Sequence, residues 1–340
     1  MLHSRLRPLQ RRHAPLHPTS SPSASAPGPK FQDEDDVDCE ESPDDIFSAF
    51  LPHLLPEDAP SFHGDPGQHL LYSSPRYGDL EIMVPSYPSL SEKRSEENAA
   101  GLSQEGKVNQ VEEGRKLFAH ILWSAAMVVA EGVENADVRS EDADTDTAMW
   151  KAKGESVLEL GAGAALPSLV CALAQASKVT VTDHPSSPAF SGAIQFNMSH
   201  NIPKTSTTNV SIQPHAWGVL DDSFALRNKG AFTRIIAADC YWMRSQHENL
   251  VRTMLWFLAP GGRIWVVAGF HTGRAIVAGF FETAVQNGLE IERIHERDLN
   301  SATAEGKEVR RDWVPVREGE GPENRKRWCV VASLKRAQES

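Results

Sequence analysis

No two cysteines in this chain are spaced to hold a metal or to build a disulfide framework. The four of them, Cys39, Cys171, Cys240 and Cys329, are scattered through 340 residues with no CxxC pair. Cys171 and Cys329 lie in apolar runs and read as core residues. No apolar run approaches the roughly 18 residues of a transmembrane helix, so no membrane partner is expected. Basic residues are short as well: 34 Lys and Arg against 46 Asp and Glu give a net charge of −12. Gripping nucleic-acid phosphates needs the opposite balance, so nucleic acid is not expected either. A basic protein segment or a neutral small molecule suits this chain better.

Acids are missing altogether from residues 1–30, which are rich in Pro, Ser, Arg and His. That composition fits a disordered arm or a mitochondrial transit peptide. The prolines, from Pro8 to Pro29, oppose the amphipathic helix a transit peptide needs, so disorder and a cytoplasmic location are the expectation. Asp33 to Asp45 then carries nine acids and no base, a solvated tract. The expected division is a basic-then-acidic arm over 1–45, an N-terminal extension over 46–114, and one α/β domain over 115–336. Within the extension, Gln68–Tyr72 and Asp79–Val84 flank a turn cluster and read as a hairpin.

From Leu117 to Ala130 the apolar residues cover nearly every face of a helix, which predicts a helix buried on most sides. An acidic loop is expected over 134–148. Beyond it strands and helices alternate. The expected strands are Val157–Leu160, Val179–Asp183, Val210–Gln213, Ile235–Asp239, Arg263–Ala268, Leu289–Ile294 and Trp328–Leu334, with helices near 188–200, 246–257 and 273–287. Alternation of this kind builds a mostly parallel sheet with helices on both faces. A long polar stretch, 297–326, joins the last two strands and makes an antiparallel final strand plausible.

The stretch that organises the domain is Val157-Leu-Glu-Leu-Gly-Ala-Gly163 with the helix after it. A strand, a glycine turn and a helix N-terminus aim backbone N–H groups at a ligand. A dinucleotide fingerprint would place a third glycine at 166, where this chain has Leu166, and no Gly-Lys-Ser/Thr ends the turn. Neither a pyrophosphate nor a P-loop phosphate is therefore specified. Asp183 ends the second strand 20 residues after Gly163, where a carboxylate can accept two hydroxyl hydrogen bonds from a ribose. At the other strand tips lie Trp217, a flat wall for an adenine face, then Asp239-Cys-Tyr-Trp242 and Gly269-Phe-His271. His271 reads as a loop histidine with an ordinary partner.

Together these motifs resemble methyltransferase family 16, the lysine-methyltransferase-like group, and within it the fungal nicotinamide N-methyltransferase-like branch. The resemblance rests on Leu117-Phe-Ala-His-Ile-Leu-Trp123, Val157–Gly163, Thr182-Asp183, Trp217-Gly218, Ala238–Trp242 and Gly269–Gly273. It implies a Rossmann-like seven-stranded class I sheet with its last strand antiparallel, and S-adenosyl-L-methionine as cofactor. It also implies site roles. Trp123, carried by the preceding helix, would close the cofactor pocket, and Glu159, Gly161, Ala162 and Gly163 would lie along the cofactor. Asp183 would hold the ribose, Trp217 would flank the adenine and Ala238 would pass beneath. Asp239 would begin the family's Asp-x-x-Tyr substrate motif, although the fourth position here is Trp242 and the tyrosine is Tyr241. Asp239 would orient a cationic amine, with Trp242 or Tyr241 as an aromatic wall.

The resemblance implies N-methylation of a protein amine by a monomer, with translation elongation factor 1-alpha as the partner its branch suggests. A nicotinamide-like small molecule, or a cofactor-binding scaffold without activity, remain the alternatives. A pyridine nitrogen gives Asp239 nothing to do. A lysine must first shed a proton at about 4.6 kcal/mol at pH 7, an α-amine at about 1.4 kcal/mol.

Overall fold

The structure, a computed structural model, describes residues 2–9, 62–86, 121–138, 148–303 and 308–338. The expected acidic tract and most of the expected arm and linker lie outside these residues. Near the N-terminus come β1 (Leu6–Pro8), β2 (Phe62–His63), β3 (His69–Ser74), β4 (Gly78–Met83), β5 (Leu122–Trp123) and α1 (Ser124–Val138). The domain then alternates through β6 (Ser156–Glu159), α2 (Leu166–Leu173), β7 (Lys178–Asp183), α3 (Ala193–Asn201), β8 (Asn209–Pro214), α4 (Ser223–Arg227), β9 (Phe232–Ala238) and α5 (His247–Phe257). It closes with β10 (Leu258–Gly269), α6 (Arg274–Gln286), β11 (Leu289–Ala302), β12 (Glu308–Arg311), α7 (Pro322–Arg327) and β13 (Trp328–Arg336).

The main sheet has eight strands in the order β12-β11-β13-β10-β9-β6-β7-β8. The run from β10 to β8 is parallel, while β13 is antiparallel to both β10 and β11. Successive residues of each strand feed opposite faces, as the pleat requires. Val157 and Trp265 join the apolar layer under α1 and α2, whereas Leu158 and Val266 join the one under α5 and α6. The chain leaves β6 toward β7 and β8 and returns to β9 on β6's other side, so a crevice opens at the carboxyl ends of β6 and β9.

Four expectations need correction. The seven-stranded sheet gains an eighth strand, β12, at the edge of β11. Its residues Glu-Val-Arg-Arg carry no apolar alternation, so nothing in the sequence announced them. The helix expected from Leu117 starts only at Ser124, and Trp123 sits in strand β5, paired with Phe62 of β2. That helix also runs through the first residues of the stretch expected as an acidic loop, to Val138. Finally, residues 2–9, expected as part of a disordered arm, pack onto the domain. Leu2 is buried, β1 pairs with β3, and Arg5 donates to Glu134 at 2.6 Å and Glu131 at 2.8 Å on α1.

The expected hairpin forms as β3 and β4, and it is fastened to the domain by two asparagines of α3. Asn197 exchanges hydrogen bonds with the Met83 backbone at 2.7 and 2.9 Å, and Asn201 does the same with Glu81 at 3.0 and 2.8 Å. Asn197 also donates to the Ala164 carbonyl at 2.8 Å, tying the extension to the glycine turn.

Candidate active site

The glycine turn is shaped by three positive φ angles, 64° at Gly161, 51° at Gly163 and 57° at Ala165. A Cβ on Gly161 would land 2.9 Å from the Cys240 sulfur and 3.2 Å from the Trp217 ring, so only glycine leaves the space above it clear. The turn is locked to β7 from several sides. The Gly163 N–H donates to Asp183 Oδ2 at 2.8 Å, the Ala162 N–H to the Thr182 carbonyl at 3.0 Å, and the Thr182 hydroxyl to the Glu159 carbonyl at 2.6 Å. Pro167 stands in the first turn of α2, where its missing N–H costs nothing.

Around this turn lies a cleft open to solvent. Its walls bring together Trp123, Glu159, Gly161, Ala162, Gly163, Asp183, Trp217, Ala238, Asp239 and Trp242, all named from sequence. Tyr241 is the exception. Its ring is fully buried in the core under α5 and α6 and stacks on Phe280 at 4.3 Å, facing away from the cleft. Trp242, the fourth residue counted from Asp239, is therefore the aromatic wall.

Sequence reasoning gave no role to His215 and Cys240, though both stand at strand tips, and missed His184, Ser187 and Met243; all five line the cleft. His184, directly after Asp183, and Cys240, directly after Asp239, could have been found as strand-tip neighbours. His215 packs against the Phe224 and Phe257 rings, and its Nδ1 lies 3.7 Å from Asp222 Oδ2.

The cleft's electrostatics decide what it can hold. Glu159, Asp183 and Asp239 line it, and no lysine or arginine does among the described residues. With acids and no cation in its walls, such a cleft is poorly suited to phosphate. Burial pushes the Glu159 carboxyl up to about 8, against the hydrogen bond it accepts from the Ser168 N–H at 3.0 Å. Burial likewise pushes Asp239 up to about 7, opposed by backbone N–H donors from Gly269 and Ala125. Asp239 is itself held at φ 52°, a strained setting for a non-glycine residue and one that marks functional positions.

These residues fit a sulfonium nucleoside. The bare Gly161 backbone admits its close approach, the Asp183 carboxylate stands where a ribose diol would be met, and the Trp217 indole offers a flat face. A mostly parallel sheet in this order, with the reversed strand β13 inserted between β10 and β11 and acids at its rim, defines the Rossmann-like class I fold of S-adenosylmethionine-dependent methyltransferases. The chain belongs to the lysine methyltransferase family, whose model matches residues 103–286, more than half of its length. It is 34% identical over 191 residues to the protein N-terminal and lysine N-methyltransferase EFM7 of Eremothecium gossypii, covering 53% of this chain and 66% of that one. The protein of the same name in Candida glabrata is 32% identical over 182 residues, covering 52% and 66%. The chain thus spans just under two thirds of the length of these curated relatives. A solved TehB-like SAM-dependent methyltransferase from Corynebacterium glutamicum superposes with a TM-score of 0.37 at 16% identity, covering 54% of this chain and 81% of that one. That overlap is too loose to bear on the assignment.

Proposed function

We propose that this chain transfers a methyl group from S-adenosyl-L-methionine to a protein amine, acting as a monomer in the cytoplasm. Translation elongation factor 1-alpha is the acceptor we favour. Bound in the cleft, S-adenosylmethionine supplies an electrophilic methyl group on a sulfonium. The chain's residues do the rest. Asp183 accepts hydrogen bonds from the ribose, Trp217 covers the adenine, and the glycine turn admits both. Trp123 and Trp242 exclude water from the reacting end. Holding the acceptor nitrogen in line behind the methyl can itself supply roughly 7–11 kcal/mol of the barrier.

The single observation that carries the reading is Asp239, an acid in the wall of a cleft already fitted to the donor, held close to neutral pH by burial. It attracts an ammonium group and can take its proton, which a general base poised near 7 does well. The relatives' names point the same way, since both specify protein N-terminal and lysine methylation.

Incubation with labelled donor and either elongation factor 1-alpha or nicotinamide tests it. Label on a lysine or the N-terminal amine of the protein is the expected result. Transfer to nicotinamide with no labelled protein would overturn the acceptor class, and calorimetry showing no donor binding would leave only a scaffold.

A further inference from the structure

His271 has no part in the reading above, and it is not among the residues that line the cleft. Its surroundings are unusual for a histidine placed there merely to pack. The ring stacks on the Trp123 indole at 4.5 Å with an interplanar angle of 20°, so it backs one wall of the cleft. Its Nδ1 is buried, has no hydrogen-bond partner, and lies 3.8 Å from Asp239 Oδ1. The same oxygen already accepts the Gly269 N–H at 3.0 Å. The Asp239 side chain is only 3% exposed and the His271 side chain 17%, so more of the ring than of the acid reaches the surface.

An acid that collects a proton in a closed site must pass it on before the next turnover. We propose that His271 is the proton outlet of Asp239. The inference rests on the amine-methylation reading. The acceptor's N–H bond breaks and its proton goes to an Asp239 oxygen. The freed lone pair forms the new C–N bond as the donor's C–S bond breaks, and those electrons stay on the departing thioether. Protonated Asp239 then donates to His271 Nδ1, and the ring releases the proton to water, which restores the carboxylate. A separation of 3.8 Å is beyond a hydrogen bond, as is common for catalytic contacts before substrate is bound, and a shared proton draws the two together.

The neighbours leave this route open. Asp239 is faced by the N–H groups of Gly269 and of Ala125 in α1, by Cys240 and Tyr241 from its own segment, and by Cys329 of β13. Burial pushes both thiols and the phenol upward, so all three stay neutral near pH 7 and none competes for the proton. Glu159 and Asp183 lie across the cleft from this pair, beside the glycine turn. The other neighbour of His271 is the uncharged Trp123. Burial holds the imidazole down to about 4 against about 7 for Asp239, so the ring is neutral near pH 7, takes the proton only uphill and gives it up at once.

The test compares wild type with His271→Phe, which keeps an aromatic ring against Trp123 but no nitrogen. Gly269→Ala serves as a second variant, because its new Cβ would sit 3.2 Å from Nδ1 and wedge the ring away from the acid. With elongation factor 1-alpha as acceptor, His271→Phe should lower kcat roughly 10- to 100-fold at pH 7. Donor affinity, measured by calorimetry, should stay within about twofold. The deficit should shrink to a few-fold by about pH 9.5, where an N-terminal amine arrives already neutral. Gly269→Ala should show the same pH-dependent deficit at smaller size. If wild type methylates the protein and both variants give pH profiles parallel to it, the outlet is overturned and the amine reading stands. If wild type labels no protein amine, both fall together.

Discussion

Two regions of this molecule bury acids, and they do it in opposite ways. At the edge formed by β11 and β12, Glu296 is fully buried, yet Arg274, Arg311 and Arg317 all reach it. Arg274 and Arg311 also hold Glu320, and the Arg274 guanidinium lies 4.1 Å over the Phe270 ring. Burial alone would raise Glu296, but the arginines outweigh it and hold its carboxyl below the ordinary range. Glu308, in the same edge, is brought down to about 2 by His295, Arg297 and Arg310 in spite of its burial. At the cleft, Glu159 and Asp239 are buried with backbone N–H donors but no arginine, and both are pushed up. At the edge the acids are charged and paired, whereas at the cleft burial favours the neutral carboxyl.

The largest test of that contrast is Arg274→Met. It strands Glu296 and Glu320 with less than their full pairing, and should cost about 3–5 kcal/mol of unfolding free energy in urea titration. Donor binding by the molecules that remain folded should be unchanged. An equally large loss of donor affinity would mean that edge and cleft are one unit. Next is Asp183→Ala, which removes a charged acceptor from the proposed ribose position. Calorimetry should show donor binding weakened by about 2–4 kcal/mol. Unchanged affinity would place the nucleoside elsewhere.

The smallest effect concerns pH. Glu159 is raised to about 8 in the folded protein from an ordinary value of 4.5, so folding favours its neutral form. Its contribution to stability is complete below pH 4.5 and is lost as pH climbs toward 8. Glu159→Gln should flatten that decline and raise the Tm at pH 8 by about 2–4 °C. Glu308 carries the opposite slope, its contribution being lost only as pH falls toward 2. Parallel pH–stability curves for wild type and Glu159→Gln would remove the unpaired-acid account of the cleft.

The glycine turn and its clasp to the next strand were legible because they are local. Two glycines after an apolar run, and an acid at the next strand tip, fix a turn and its clasp within a short stretch. The acceptor half depends on distant pieces. Trp123 and His271 meet only because β5 and the loop after β10 converge, and nothing near His271 in sequence reveals that its partner is an indole. Tyr241 was ambiguous for another reason. It and Trp242 are adjacent aromatics after a strand, and only the packing of Phe280 shows which one turns inward. The start of α1 was misplaced because an apolar run carries no phase that separates a strand residue from a helix residue. Residues 2–9 escaped because their anchors, Glu131 and Glu134, lie far along the chain.

Asp239 also fastens two parts of the protein, since its carboxylate takes one N–H from the end of β10 and another from the opening turn of the helix that follows Trp123. Removing it would loosen a joint as well as erase a base. A sequence that had given up methylation would still be under pressure to keep this acid for the sake of the joint.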